Sequence, residues 1–200
     1  MTPPFEVAAP RSELYSGLLA LSKATAARGV YELPDLRRHV VSFFRPQTFH
    51  DLADAVAAAL CAGSVVRVLR DATLPGPPTA FRARNCAWGT WCPIPPGTSV
   101  TIASKGRPCR LRHFGDASDS LFAICNGATL TVSGLKFEAL LSKARADRAH
   151  AAGGVHFATV MPDQDLAGRL KIAGEVTFAG YDDVVHRATA READLFEQLS

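Results

Sequence analysis

The chain has 200 residues, of which 48% are apolar, and a formal net charge of +3. This length and apolar content suffice for the core of one domain, and so weak a positive charge does not by itself indicate nucleic-acid binding. No apolar run approaches the roughly 20 residues that span a bilayer, the first residues lack the pattern of a signal peptide, and the five cysteines are an odd, sparse set. These features predict a cytoplasmic protein without a membrane segment.

Residues 1–47 are predicted to form an irregular arm followed by a helix. Three prolines lie within the first ten residues, and Ser12 is a candidate cap for a helix that continues to about Arg28, where Gly29 ends it. Val40–Phe44 has the pattern of a short strand. A clearer helix is predicted from Thr48, because Thr48-Phe-His-Asp51 is a variant of the capping box. Its predicted buried stripe consists of Leu52, Val56, Ala59 and Leu60.

A pattern of apolar, polar, apolar, small, small residues then occurs three times, in Val100–Ser104, Leu130–Gly134 and Leu170–Gly174. A second short strand is predicted after each copy and another before it, which gives three strands per turn over three turns. Such a repeat is typical of a solenoid, in which no single unit can bury its own apolar side. The following strands are Arg110–Arg112, Leu135–Phe137 and Val176–Phe178; the preceding strands are Val66–Val68, Phe122–Ile124 and Val155–Phe157.

The central copy makes the sharpest prediction about the core. Turn-forming Asn126-Gly127 and Ser133-Gly134 bound two alternating strands. Here Thr131 and Lys136 are expected to be exposed, whereas the apolar residues Leu130, Val132, Leu135 and Phe137 are expected to be buried.

Three segments interrupt or follow the repeat. Pro75–Pro96 contains six prolines and is predicted to be a long loop. Ala139–Ala152 is predicted to be a short inserted helix. Asp182–Leu199 is predicted to be a helix that covers the last open turn, because an uncovered strand edge invites aggregation.

Two stretches, Thr48–Leu69 and Asn126–Phe137, resemble right-handed parallel β-helix proteins of the pectate-lyase-like superfamily, over about Thr48 to Gly180. The resemblance implies a mainly β chain with a short right-handed parallel β-helix of about three coils. The domains would be an N-terminal arm and helix (residues 1–47), the β-helix (48–180) and a C-terminal capping helix (181–200). Enzymes of this family use acidic clusters, often with calcium, or an Arg or Lys base in a carbohydrate groove.

Outward positions of the predicted strands carry the candidate binding residues. Equivalent positions should lie about 4.8 Å apart in successive turns. Arg67 and His156 are then expected to share one sheet, and Thr101, Thr131 and Lys171 a second. On the third sheet a basic patch is predicted, which could bind an acidic sugar polymer, a phosphate or an acidic partner, or could simply be solvated. The residues of this patch are Lys105, Arg107, Arg110, Arg112 and Lys136.

Two tryptophans in the predicted loop, Trp88 and Trp91, are candidates for stacking on a sugar or docking a partner, or alternatively for sealing the core. The one conceivable cysteine-based metal set has spacings unlike those of zinc knuckles, so buried thiols are predicted instead and neither metal nor cofactor is expected. That set consists of Cys86, Cys92, Cys109 and His113. Ser120 lies near His113, Asp116 and Asp119 in sequence but lacks the flanking glycines of a nucleophile elbow, and no catalytic residue is predicted.

The sequence therefore favours a non-catalytic structural or interaction module built on a β-solenoid. It would bind a protein partner, including a second copy of itself, or an acidic polymer. The alternative is a carbohydrate-active enzyme, a lyase or hydrolase that acts on an acidic polysaccharide.

Overall fold

The computed structural model describes residues 2–8, 46–62, 65–74, 89–114, 119–140, 155–161 and 168–188. The predictions for Ser12–Arg28, Val40–Phe44 and most of the inserted helix lie outside these residues. The described residues form one helix and fourteen strands, so the chain is mainly β as predicted. The helix is α1 (Leu52–Ala62), and the strands are β1 (Phe5–Ala8), β2 (Gln47–Phe49), β3 (Val65–Val68), β4 (Ala72–Leu74), β5 (Gly89–Ile94), β6 (Ser99–Ser104), β7 (Cys109–Phe114), β8 (Asp119–Ile124), β9 (Thr129–Ser133), β10 (Leu135–Leu140), β11 (His156–Val160), β12 (Arg169–Ala173), β13 (Thr177–Ala179) and β14 (Asp183–Arg187).

The strands from β3 onward belong to three parallel sheets in strict rotation. Sheet A has the order β12-β9-β6-β3-β1-β2, sheet B the order β13-β10-β7-β4, and sheet C the order β14-β11-β8-β5. Each triplet of consecutive strands, such as β3-β4-β5 or β6-β7-β8, thus gives one strand to each sheet. The pairings between triplets are parallel. The described residues hold four triplets, where the sequence pattern predicted about three turns.

The first triplet is where the sequence pattern was misassigned. Val66 pairs with Ile102, so β3 is the sheet A strand of the first triplet and does not directly precede β6. The strand that precedes β6 is β5, which lies inside the predicted Pro75–Pro96 loop. Two prolines, Pro93 within β5 and Pro95 after it, hid this strand, because proline ordinarily argues against a strand interior. As a result Arg67 lies in sheet A and His156 in sheet C, so the expectation that they share a sheet was wrong.

Register stacks equivalent side chains into columns, and the inward columns form the core. Leu130 pairs with Val100 on one side and Leu170 on the other, and Phe137 pairs with Leu111 and Phe178. The Phe137 and Phe178 rings stack with centroids 5.7 Å apart. The predicted core residues Leu130, Val132, Leu135 and Phe137 are all fully buried. Thr131 and Lys136 are half-buried, not exposed, because each has a neighbouring strand on both sides.

The corner between β9 and β10 explains the Ser-Gly step in the repeat. Gly134 has φ of 63°, a left-handed conformation that residues with a β-carbon rarely adopt. A β-carbon there would also lie 2.7 Å from the Ser104 hydroxyl of the preceding triplet. The backbone conformation of this corner therefore favours glycine, and a larger residue would also displace the Ser104 hydroxyl.

The first triplet is closed by the N-terminal elements. β1 adds to the edge of β3 as an antiparallel strand, and β2 pairs antiparallel with β1. Helix α1 buries Leu52, Val56 and Ala59 in the same core as the sheets. It begins at Leu52 and not at Thr48, because Asp51 Oδ1 accepts a hydrogen bond of 2.7 Å from the Ala53 amide and acts as the N-cap. α1 has 11 residues and is the one helix among the described residues, and it is too short to cross a membrane.

The fourth triplet is open by contrast. Its strands are the last in their sheets, and Ile172 and Val185 are 52% and 42% exposed. The predicted helix from Asp182 is wrong over residues 183–187, which form β14. The Asp182 amide donates to the Val155 carbonyl, and the Val155 amide donates to Asp182 Oδ2, at 2.9 and 2.8 Å. These two bonds hold the chain beside β11, where an extended strand completes the sheet. Residues 189–200 lie outside the described part of the chain.

Leu130 gives a direct test of the stacked core. Leu130→Ala is expected to lower the free energy of unfolding by about 2–5 kcal/mol, because it removes fully buried methyl groups between two packed strands. Chemical denaturation checks this value, with Thr131→Ala as the control on the opposite face of the same strand. Equal effects of the two substitutions would contradict the assigned faces of β9.

Candidate functional site

The predicted basic patch lies on the outward face of sheet B and its adjoining corner. Arg110 and Arg112 on β7 alternate with buried residues, and Arg110 pairs in register with Lys136 on β10. Lys105 and Arg107 are exposed at the corner between β6 and β7. The structure thus brings the five predicted cations onto one side of the molecule.

Carboxylates that the sequence analysis overlooked lie among these cations. Glu138 on β10 has its Oε1 3.0 Å from Arg110 Nε and its Oε2 3.0 Å from Arg112 Nε. Glu6 on β1 lies 3.4 Å from Lys105 Nζ and 3.3 Å from Arg67 Nη1. Asp71 Oδ1 accepts a hydrogen bond from the Arg110 amide at 2.9 Å. The patch is therefore a mixed-charge network with a reduced positive potential, in which Arg110 and Arg112 are held in ion pairs.

The two predicted aromatic residues cannot be assigned to a binding surface. Trp91 lies in β5, so its backbone belongs to sheet C. The side chain of Trp91 and the whole of Trp88 lie outside the described residues. Their proposed role in binding stays a prediction.

Three of the five cysteines and His113 are buried. Cys92, Cys109 and Cys125 are free and buried, and burial raises the pKa of each thiol, that of Cys125 to about 11. Such thiols stay protonated and are poor nucleophiles and metal ligands. His113 points inward from β7 and lies 2.9 Å (Nδ1) from the Tyr181 hydroxyl, with the two rings stacked at 5.3 Å. Burial also raises the pKa of Tyr181, so its phenol remains a donor.

Burial lowers the pKa of His113 from 6.5 to about 4, which makes stability sensitive to acid. Between these values the unfolded chain binds a proton that the folded chain does not, so stability falls as the pH drops from 6.5 toward 4. The shift corresponds to about 3 kcal/mol. We expect His113→Gln, which cannot titrate, to lose less stability than the wild type between pH 7 and pH 4.

Urea denaturation at a series of pH values measures this difference, and the imidazole resonances of His113 report its pKa directly. An ordinary His113 pKa near 6.5 in the folded protein, or parallel pH profiles for wild type and variant, would contradict the buried neutral imidazole.

A second polar group lies on the outward face of sheet C, where the strands are irregular. The ladder pairs His156 with Asp183 and Ala158 with Val185, but leaves out Phe157 between them. Phe157 and Ala158 both belong to the hydrophobic core. Two consecutive inward side chains place His156 and Thr159, three residues apart, on the same outer face, although both side chains are buried there.

Contacts between strands agree with this arrangement. Ser120 pairs in register with His156, yet its hydroxyl hydrogen-bonds that of Thr159. His186 pairs in register with Thr159, yet its ring stacks on His156 with centroids 4.3 Å apart and planes 12° apart. Neither diagonal contact is possible if side chains alternate regularly, because residues three apart would then lie on opposite faces.

Three members of this group, which we call the His–Asp–His cluster, carry ligand-type side chains: His156, Asp183 and His186. One ligand atom from each lies within 4.8 Å of those of the other two. His156 Nδ1 is 3.5 Å from Asp183 Oδ2. His156 is buried at 3% exposure, whereas Asp183 is exposed and His186 half-buried. The cluster therefore has one buried ligand, His156, and one ligand that faces solvent, Asp183.

This cluster was not predicted, because His186 was assigned to a helix and then shares no face with His156. The signal that favours a strand there is the pair of adjacent β-branched residues Val184 and Val185. No protein-family model, curated protein or solved structure matches this chain.

Proposed function

We propose that the chain is a short right-handed β-helix of the pectate-lyase-like type and that it acts by binding, not by catalysis. The strict rotation of strands through three parallel sheets supports the helix. The right hand follows from the general preference of parallel strand connections, of which about 98% are right-handed. Among the described residues, the His–Asp–His cluster is the one group with metal-ligand geometry, and no calcium-type carboxylate cluster accompanies it.

The binding surface that the geometry supports best is the open end of the fourth triplet. Among the described residues β12, β13 and β14 are each the last strand of a sheet, and together they place three strand edges at one end. Ile172 and Val185 add exposed apolar side chains, although the residues that pair with them in the third triplet, Val132 and Ala158, are fully buried. An edge of this kind is a template for a further strand, as in β-strand addition.

A second copy of the chain is the occupant that fits this end. The exposed residues there carry both signs of charge, namely Arg169, Lys171, Glu175, Asp182, Asp183 and Arg187. Mixed charge suits a self-complementary contact about a two-fold axis, in which the same surface serves both partners. A two-fold contact of this kind uses the open ends of both copies, so it stops at a dimer.

The test is the oligomeric state across a wide range of protein concentration, measured by sedimentation velocity. The wild type is expected to dimerise as concentration rises. Ile172→Lys and Val185→Lys should shift it toward monomer, because a lysine on an edge strand opposes pairing. Ser99→Lys, at an exposed position on β6 away from the open end, is the matched control and should dimerise normally.

A wild type that stays monomeric at every concentration would overturn self-association. So would dimers that both edge lysines leave unchanged, since the contact would then lie elsewhere on the surface.

The second candidate is an acidic polymer on the basic patch, supported by the five cations on one side of the molecule. Glu138 opposes it by pairing with Arg110 and Arg112. Glu138→Gln is therefore expected to strengthen heparin binding, and binding should weaken with salt as the Debye length falls from about 10 Å at 0.1 M to about 3 Å at 1 M. Heparin retention that is unchanged in Glu138→Gln and independent of salt would count against this surface.

The enzyme alternative is tested with a second polymer, polygalacturonate. A lyase or hydrolase would release shortened or unsaturated sugars from polygalacturonate, and that release should depend on Arg110 or Arg112. Binding without release supports the non-catalytic function.

A further inference from the structure

We propose that the His–Asp–His cluster is a binding site for one divalent transition-metal ion of the zinc class. The cluster lies beside the open end and shares Asp183 with it, but Zn²⁺ binding and dimerisation are measured separately, so either proposal can fail without the other. Two imidazoles and one carboxylate are the donor set that such ions share, whereas calcium and magnesium prefer oxygen ligands throughout.

The geometry is close to that of a metal site. Zinc bonds to nitrogen and oxygen of about 2.0–2.2 Å place tetrahedral ligand atoms about 3.4 Å apart. The three ligand atoms already lie within 4.8 Å of one another, and one pair, His156 Nδ1 and Asp183 Oδ2, is at 3.5 Å. The stacked imidazoles must tilt for their nitrogens to converge on one ion. His186 lies on the last strand of sheet C and is half-buried, so its ring is less enclosed than that of the buried His156.

The fold holds the ligands in place by three separate means. His156 is anchored on β11, which has a strand on either side. Asp182, through its two hydrogen bonds with Val155, fixes β14 beside β11 and so sets the position of Asp183. The irregular step in sheet C turns residues three apart toward the same side, which brings His186 over His156. A preformed arrangement of this kind lowers the cost of ordering ligands on binding.

The cluster also leaves a way in for the ion. Asp183 has 59% of its side chain exposed, so the carboxylate faces solvent above the buried His156. Three protein ligands leave a fourth tetrahedral position, which water can fill from that side. The buried thiols do not compete for the ion, because their raised pKa values keep them protonated.

The test uses Zn²⁺ itself as the probe, titrated calorimetrically into chelator-treated full-length protein at neutral pH. We expect one equivalent to bind to the wild type. His186→Ala and Asp183→Asn should each weaken binding by at least about tenfold. Substitution of residues that only orient metal ligands already lowers metal affinity by that factor. Both residues lie on the edge strand, so the core is left intact. Glu175→Gln removes an exposed carboxylate from the same end of the molecule and should bind Zn²⁺ like the wild type.

Cobalt substitution separates this site from a thiolate site. Co²⁺ bound to imidazole and carboxylate shows weak visible bands, without the intense near-ultraviolet band of a thiolate ligand. Absence of stoichiometric Zn²⁺ binding would overturn the proposal. It would also fail if His186→Ala and Asp183→Asn bound Zn²⁺ as tightly as Glu175→Gln, or if the Co²⁺ spectrum showed thiolate ligation.

Discussion

Every feature of this molecule depends on one constraint, the parallel in-register stacking of each strand on the strand three positions earlier in the chain. Register carries an apolar residue over an apolar residue from triplet to triplet, as at Val100, Leu130 and Leu170. No triplet could bury these side chains alone, so stability comes from the neighbours that each triplet receives. The same constraint explains why Ile172 is half exposed, since it is the last described residue of its inward column.

Sheet C shows how the stack can be modified without losing the core. The ladder skips Leu121, Phe157 and Val184 in three successive strands, so the irregularity is itself stacked. Its consequence is local: polar side chains three residues apart reach one outer face, while both intervening residues turn inward. An irregularity repeated in register thus brings polar side chains together on one face, which regular alternation could not do. The His–Asp–His cluster lies on this face.

Much of this fold was predictable from sequence because alternation and glycine corners are local signals. The faces of Leu130, Val132 and Phe137 followed from period-two patterning, and Gly134 marked the corner. The first and last triplets were misassigned for physical reasons. Prolines in and after β5 made that segment look like a loop. In the last triplet, which packs on one neighbour only, apolar residues alternate less clearly, and β14 was therefore assigned to a helix. The cations of the basic patch were predicted, but their ion pairs were not. Glu138 and Glu6, which pair with them, lie in distant parts of the sequence.

The most direct test of the stacked triplets is the set of long-range NMR contacts between strands. Stacking predicts cross-strand contacts from Phe137 to both Leu111 and Phe178, and from Thr131 to both Thr101 and Lys171. These contacts link residues roughly 25–40 positions apart and require parallel strands. Contacts that instead pair β9 with β10 as an antiparallel hairpin across Gly134 would contradict the architecture and everything argued from it.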